Sequence, residues 1–180
     1  MNQGVHTVDL LVAALGKPVS VFAYTGRLAH ENIEVEDVAV AVVKFENGAL
    51  GVLHASTAAF PGLSARLQVH GDKGSVVIEG DRLTFVHTTP GQAERVRLPL
   101  RDGVEANQLN RYKLADGSLA SAGMNPGELS DAHRYQYGDF LNALGGGTGV
   151  RVGLTVNRQS ISVILGAYES ARTGMEIFLD

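Results

Sequence analysis

Val38-Ala39-Val40-Ala41-Val42-Val43-Lys44-Phe45-Glu46-Asn47-Gly48-Ala49-Leu50-Gly51 decides the fold. An apolar run rich in valine enters Asn47-Gly48, a pair that tolerates the positive φ angles a tight hairpin turn demands. The stretch therefore predicts a strand over Val38–Phe45 and an antiparallel mate over 49–57. Side chains alternate between the faces of a strand. Here both alternating sets are apolar, Val38, Val40 and Val42 on one side and Ala39, Ala41, Val43 and Phe45 on the other. Both faces of the sheet then need cover.

Working outward, residues 19–25 alternate weakly and read as a strand, and the polar residues 26–35 read as a loop. Downstream, Pro61-Gly62 marks a turn, and Ala65, Leu67 and Val69 alternate with Ser64, Arg66, Gln68 and His70 as in a half-solvated strand. Gly71-Asp72-Lys73-Gly74 turns into Ser75–Glu79, Gly80-Asp81 turns again, and Arg82–His87 and Arg95–Leu98 complete a meander of five to seven strands. From Arg101 to Ser130 no period is sustained; Asn107, Asn110, Arg111, Tyr112 and Lys113 could reach a ligand from such a stretch, which reads equally as a disordered surface loop.

Helical periodicity frames this sheet at both ends. Val5, Val8, Leu11, Val12 and Leu15 share one face of an N-terminal helix that Gly16 and Pro18 end. A second helix is expected from Asp131 through Leu144, and a third from about Leu154 to Arg172, with Val156, Ile161, Val163, Ile164, Ala167, Tyr168 and Ala171 on its apolar side. Glu176–Leu179 reads as a last short strand. The order gives an α+β fold, a largely antiparallel open sheet with helices packed on one face, in a single domain over 1–180.

The first helix also carries Asn2, His6, Asp9 and Ala13 at i, i+4, i+7 and i+11. That spacing lines up an amide, an imidazole and a carboxylate beside the apolar stripe. Two readings are open: a helix N-cap at Asn2 with a partly buried, hydrogen-bonded histidine, or a row of proton-handling groups. His6 and Asp9 could share a cation, but no third metal ligand stands at suitable spacing nearby.

Composition narrows the function classes. The formal net charge of -4 provides no electrostatic footprint for nucleic acid. With no cysteine there are neither disulfides nor thiolate metal sites. The longest apolar runs, Leu10–Leu15 and Val38–Val43, are far short of the roughly 20 residues that span a bilayer. No signal-peptide pattern precedes the first helix, so a cytoplasmic protein is expected.

Asn2-Gln3-Gly4-Val5-His6-Thr7-Val8-Asp9-Leu10-Leu11 resembles the start of the second domain of Gfo/Idh/MocA-type oxidoreductases. Val35-Glu36-Asp37-Val38-Ala39 with Phe45-Glu46-Asn47-Gly48-Ala49-Leu50-Gly51, then Gly71-Asp72-Lys73-Gly74-Ser75, then Tyr168-Glu169-Ser170-Ala171-Arg172-Thr173-Gly174 are similar to that family's later signatures. The four occur in the family's order over nearly the whole chain.

The resemblance implies a substrate-binding and oligomerisation domain from an NAD(P)-dependent enzyme that acts on a sugar, polyol or related hydroxyl substrate. His6 matches the histidine thought to exchange the substrate hydroxyl proton. Asn2 matches a position where many members have Asp, which leaves it hydrogen bonding to substrate. From spacing and not from the resemblance, Asp9, one helical turn on from His6, is a further substrate-side candidate that could hold the imidazole or merely solvate the surface. The cofactor is expected in a Rossmann domain outside this chain, since no strand here leads into Gly-x-Gly-x-x-Gly; Gly145-Gly146-Gly147-Thr148-Gly149 follows a helix and reads as a linker. The chain alone is then expected to bind no nicotinamide and to be inactive, Met1 is expected to be internal to a longer protein, and the open sheet face is expected to form a homo-oligomer. The rival is a stand-alone binding or assembly module that has shed its cofactor domain.

Overall fold

A computed structural model describes residues 4–80, 82–88, 107–109, 129–150 and 152–180. The elements in chain order are α1 (Gly4–Leu15), β1 (Pro18–Gly26), β2 (Val38–Phe45), β3 (Leu50–Ser56), β4 (Arg66–Gly71), β5 (Gly74–Glu79), β6 (Arg82–Thr88), α2 (Leu129–Leu144), α3 (Leu154–Thr173) and β7 (Ile177–Phe178). The chain divides into two compact units, one of 1–63 with 138–180 and the other of 64–137. Antiparallel pairing dominates as expected, but it is shared between two sheets and not carried by one continuous meander.

The first unit is built on a four-stranded sheet in the order β3-β2-β1-β7. The β2–β3 hairpin forms where Asn47-Gly48 predicts it. Gly48 adopts φ 86°, and the Asn47 side chain both accepts the Ala49 amide and donates to the Leu15 carbonyl. Val21 pairs with Val43, Ala23 with Ala41 and Val43 with Gly51, which puts Val21, Ala23, Ala41, Val43 and Leu53 on one buried face. Helices α1 and α3 cover that face. Leu11 of α1 lies against Gly51, where a Cβ would meet its side chain at 3.0 Å. On α3, Gly166 faces Val21 more closely still, where a Cβ would meet its side chain at 2.8 Å.

These contacts also fix direction. Gly166 and Ser170 of α3 meet Val21 and Ala23 in turn, so α3 runs along β1. The end of α1 is tied to the Asn47 turn and its middle to Gly51, so α1 runs the opposite way. Its N-terminal turns therefore point toward the end of the sheet that carries the loop from Arg27 to Asp37.

One expectation about α3 needs correction. Its buried positions are Ser160, Val163, Gly166, Ala167 and Ser170. Ile161 is half exposed, and Tyr168 is not part of that buried face. The helix packs through small residues because the sheet lies too close for larger ones. Gly174 ends it in the left-handed conformation, φ 70°, with its amide on the Ser170 carbonyl.

In the second unit, β4, β5 and β6 form a three-stranded sheet in that order. Val69, Val76 and Val86 make one cross-strand row. Residues 107–109 dock on the edge of β6: the Gln108 amide donates to the Val86 carbonyl, and the Asn107 side chain accepts the Val86 amide and donates to the Thr84 carbonyl. Asn107 thus completes a strand edge, where the sequence suggested a ligand contact. The expected strand Arg95–Leu98 and the residues Asn110, Arg111, Tyr112 and Lys113 lie outside the described residues.

Candidate functional site

Three buried side chains, Val8, Leu11 and Val12, anchor α1 to the first unit. They occupy one side of the helix and leave His6 exposed on another. Val5 and Leu15 are only partly covered, so the apolar stripe is tightest in the middle of the helix. The imidazole is accordingly exposed on a helix held by its opposite side. Asn2 lies outside the described residues.

Asp9 is half buried and turns toward α3. Its Oδ1 accepts a hydrogen bond from Ser160 Oγ at 2.8 Å. Ser160 is itself buried, and its sequence context hid it: among Asn157, Arg158, Gln159 and Ser162, one more polar residue does not register as a core position by hydrophobic periodicity. The available signal was its spacing, since Ser160, Val163, Ala167 and Ser170 recur at helical intervals.

The neighbouring loop is held by a carboxylate the sequence reading did not assign to a role. Asp37 is almost fully buried and accepts the backbone amides of Leu28 at 2.8 Å, Ala29 at 2.7 Å and His30 at 2.9 Å. His30 Nδ1 approaches the same carboxylate at 3.3 Å. The Ala29 amide, followed by those of Leu28 and His30, holds the Asp37 carboxyl well below the usual carboxylate range against the opposing effect of burial. Buried carboxylates persist where donors converge on them, and here three amides do so. The loop therefore starts from a fixed conformation.

Beside Asp37, Glu36 Oε1 accepts the Tyr168 hydroxyl at 2.8 Å, which ties the loop to the later turns of α3. Burial and then the Glu36 carboxylate push the Tyr168 phenol up to about 12, so it remains a donor at neutral pH. Glu36 and Asp37 thus fix the loop against α3 and against its own backbone. Among the described residues no group of three or more histidines and acids is placed to hold a metal ion. Nor does any described strand enter a helix through a glycine-rich turn of the kind that cradles a dinucleotide.

The other face of the sheet is open. Tyr24, Val40 and His54 make one cross-strand row, and Phe22, Val42 and Val52 the next. Val52 is 72% exposed and Phe178, at the β7 edge, 80%. Phe22 and Tyr24 meet edge to face with ring centres 5.1 Å apart. Polar closure comes at one corner, where Glu176 accepts from Ser20 at 2.6 Å and Lys44 at 2.8 Å.

Comparison with known proteins agrees with this arrangement. The GFO/IDH/MocA C-terminal domain family matches residues 1–77. The chain is 34% identical over 99 residues to the myo-inositol 2-dehydrogenase of Thermotoga maritima, covering 53% of this chain and 30% of that protein. It is 32% identical over 117 residues to the uncharacterized oxidoreductase YrbE of Bacillus subtilis, covering 63% and 33%. The WlbA dehydrogenase from Bordetella pertussis, solved in complex with NADH and UDP-GlcNAcA, superposes with a TM-score of 0.74 at 27% identity, over 100% of this chain and 47% of that one. The chain spans about a third of the length of the curated relatives and about half that of the dehydrogenase structure. Among the described residues no helix is long and apolar enough to cross a membrane. The region of 1–77 that is similar to the GFO/IDH/MocA C-terminal domain contains α1 and the β1–β3 part of the first sheet, the elements that bear His6 and the open apolar face.

Proposed function

We propose that this chain is the substrate-binding and oligomerisation part of an NAD(P)-dependent oxidoreductase acting on a sugar, polyol or related hydroxyl compound. The observation that carries the reading is His6, exposed on a helix whose opposite side is anchored by Val8, Leu11 and Val12. The named relatives support the class: one is a myo-inositol dehydrogenase, and another was solved with NADH and a nucleotide sugar. His6 takes the hydroxyl proton of the substrate as the alcohol is oxidised, or returns it in the reverse direction. Asn2 hydrogen bonds the substrate, and Asp9 supports the same helix face.

The nicotinamide supplies the hydride chemistry and is held by a Rossmann domain outside these 180 residues, because the described residues offer no glycine-rich strand-to-helix turn for its phosphates. The chain alone is inactive. The open face of β1, β2 and β3 pairs with a second copy, since apolar patches of this extent are uncommon on monomers. The protein works in the cytoplasm.

The test is steady-state kinetics on the protein with its cofactor domain, using a panel of sugars and polyols and following nicotinamide absorbance. His6→Ala lowers turnover by roughly 10²–10⁴-fold, the range for a lost acid–base group, while cofactor affinity and melting temperature hold. Wild-type turnover together with a large drop in melting temperature makes His6 a structural residue and ends this reading.

A further inference from the structure

We infer that Ser160 and Asp9 form a positioning pair for His6: their hydrogen bond between α3 and α1 sets the angle at which α1 presents the imidazole. Asp9 then serves as an acceptor directed into the protein and not as a charge on the substrate or on the imidazole. The inference rests on His6 being the acid–base group.

Three observations carry it. The first is the bond itself. Ser160 Oγ lies 2.8 Å from Asp9 Oδ1 and 3.3 Å from the Val156 carbonyl. A hydroxyl has one proton to donate, and the shorter contact to a charged acceptor takes it.

The second is its isolation. Among the described residues no other side-chain hydrogen bond joins α1 to α3. The other ties of α1 are the packing of Val8, Leu11 and Val12 and, at its last turn, the Asn47 hydrogen bond to the Leu15 carbonyl. Packing limits rotation through shape, whereas a hydrogen bond also prescribes a direction. The Asp9–Ser160 bond supplies that direction near His6.

The third is spacing. His6 and Asp9 stand three residues apart and are neighbours on the helix surface. A rotation that broke the Asp9 bond would swing His6 through the same angle. At the roughly 5–6 Å radius of a helix with its side chains, about 10° of rotation moves a surface group by about 1 Å. A displacement of that size can cost roughly 10²-fold in rate.

The experiment compares Asp9→Ala, Asp9→Asn, Ser160→Ala and His6→Ala in the protein with its cofactor domain, assayed well below its melting temperature. Asn keeps the Oδ1 acceptor and removes the charge. Asp9→Ala and Ser160→Ala are expected to lower kcat by roughly 10- to 10²-fold with the cofactor KM unchanged. Asp9→Asn is expected to stay within about threefold of wild type, with a superimposable pH–rate profile. If Asp9→Asn loses as much as Asp9→Ala, or moves the profile, Asp9 acts as a charge and the inference falls. Wild-type kcat in both alanine variants also overturns it.

His6→Ala separates this failure from failure of the functional reading. If that variant keeps full turnover, the acid–base role is gone, and the pair's hold on α1 is judged by amide hydrogen exchange. Faster exchange across α1 in Asp9→Ala but not in Asp9→Asn supports the tie. Equal protection in both overturns it.

Discussion

Ser170 Oγ accepts the Ala23 amide at 2.9 Å and donates to the Met175 carbonyl at 2.6 Å, joining the end of α3 to β1 and to the turn before β7. The short strand β7 pairs with β1 only at Ser20 and Val21. Further along that edge the Ala23 amide would be orphaned, and the serine hydroxyl takes the place of the missing strand. Ser170 has 0% exposure, so water does not compete for the site. Ser170→Ala should strand a buried donor and cost about 1–3 kcal/mol. Thermal and urea denaturation measure this; an unchanged midpoint would show that the edge is satisfied in another way.

Gly166 sets how closely α3 approaches the sheet. A Cβ there would meet Leu179 at 2.7 Å and Val21 at 2.8 Å, and Val21 is buried with little room to retreat. Alanine gains about 1 kcal/mol of helix propensity over glycine, but overpacking costs roughly 1–3 kcal/mol. Gly166→Ala should therefore be neutral to mildly destabilising, and Gly166→Val clearly destabilising by denaturant titration. A valine variant as stable as wild type would mean that α3 can lift from β1 without loss.

Asp37 should make the first unit acid-sensitive. Its carboxyl is held well below the usual range in the folded chain, with the Ala29 amide the largest cause, so protonation favours the unfolded state. The stabilisation is fully present above the ordinary carboxylate value near 4 and is lost as the pH falls below it toward the folded value. Asp37→Asn removes a charged acceptor that serves three amides. The melting temperature of the variant should fall by several degrees at pH 7, and the gap from wild type should narrow steadily below about pH 4. A gap independent of pH would show that the side chain acts through shape alone.

The parts of this fold that were legible in the sequence are those where local chemistry agrees with tertiary structure. Asn47-Gly48 and the valine run specify the hairpin without help, and Gly174 stops α3 where a left-handed residue is required. The separation into two sheets was not legible, because alternation reports that a strand is half buried and says nothing of its partner. The buried face of α3 was misassigned for a related reason. Period analysis favours large apolar residues such as Ile161, whereas close approach to β1 selects Gly166, Ser160 and Ser170. At the site, the face of His6 could be read from spacing, since i, i+3 and i+4 positions share a helix side. The bond from Asp9 to Ser160 spans 151 positions and could come only from the structure.

The open face of the first sheet gives the last prediction. Val42 sits at its centre, between Phe22 on β1 and Val52 on β3, and is 45% exposed in the isolated chain. A charge placed there costs an isolated subunit little, because the side chain already meets water. Buried beneath a second copy, the same charge would lie among Phe22, Val40, Val52 and Tyr24, and the cation on that face, Lys44, is already held by Glu176. Leaving a charge buried and unpaired costs about 3–5 kcal/mol. Each 1.4 kcal/mol is a factor of ten, so Val42→Asp should weaken self-association by at least about 10²-fold. Sedimentation of the wild-type chain should return a mass above 19.0 kDa at micromolar concentration, and the variant should return the single-chain value. Circular dichroism and the melting curve of the variant should match a dissociated wild type, which separates loss of assembly from loss of fold. A wild-type chain that sediments as a monomer, or a variant that assembles as before, would place the association surface elsewhere.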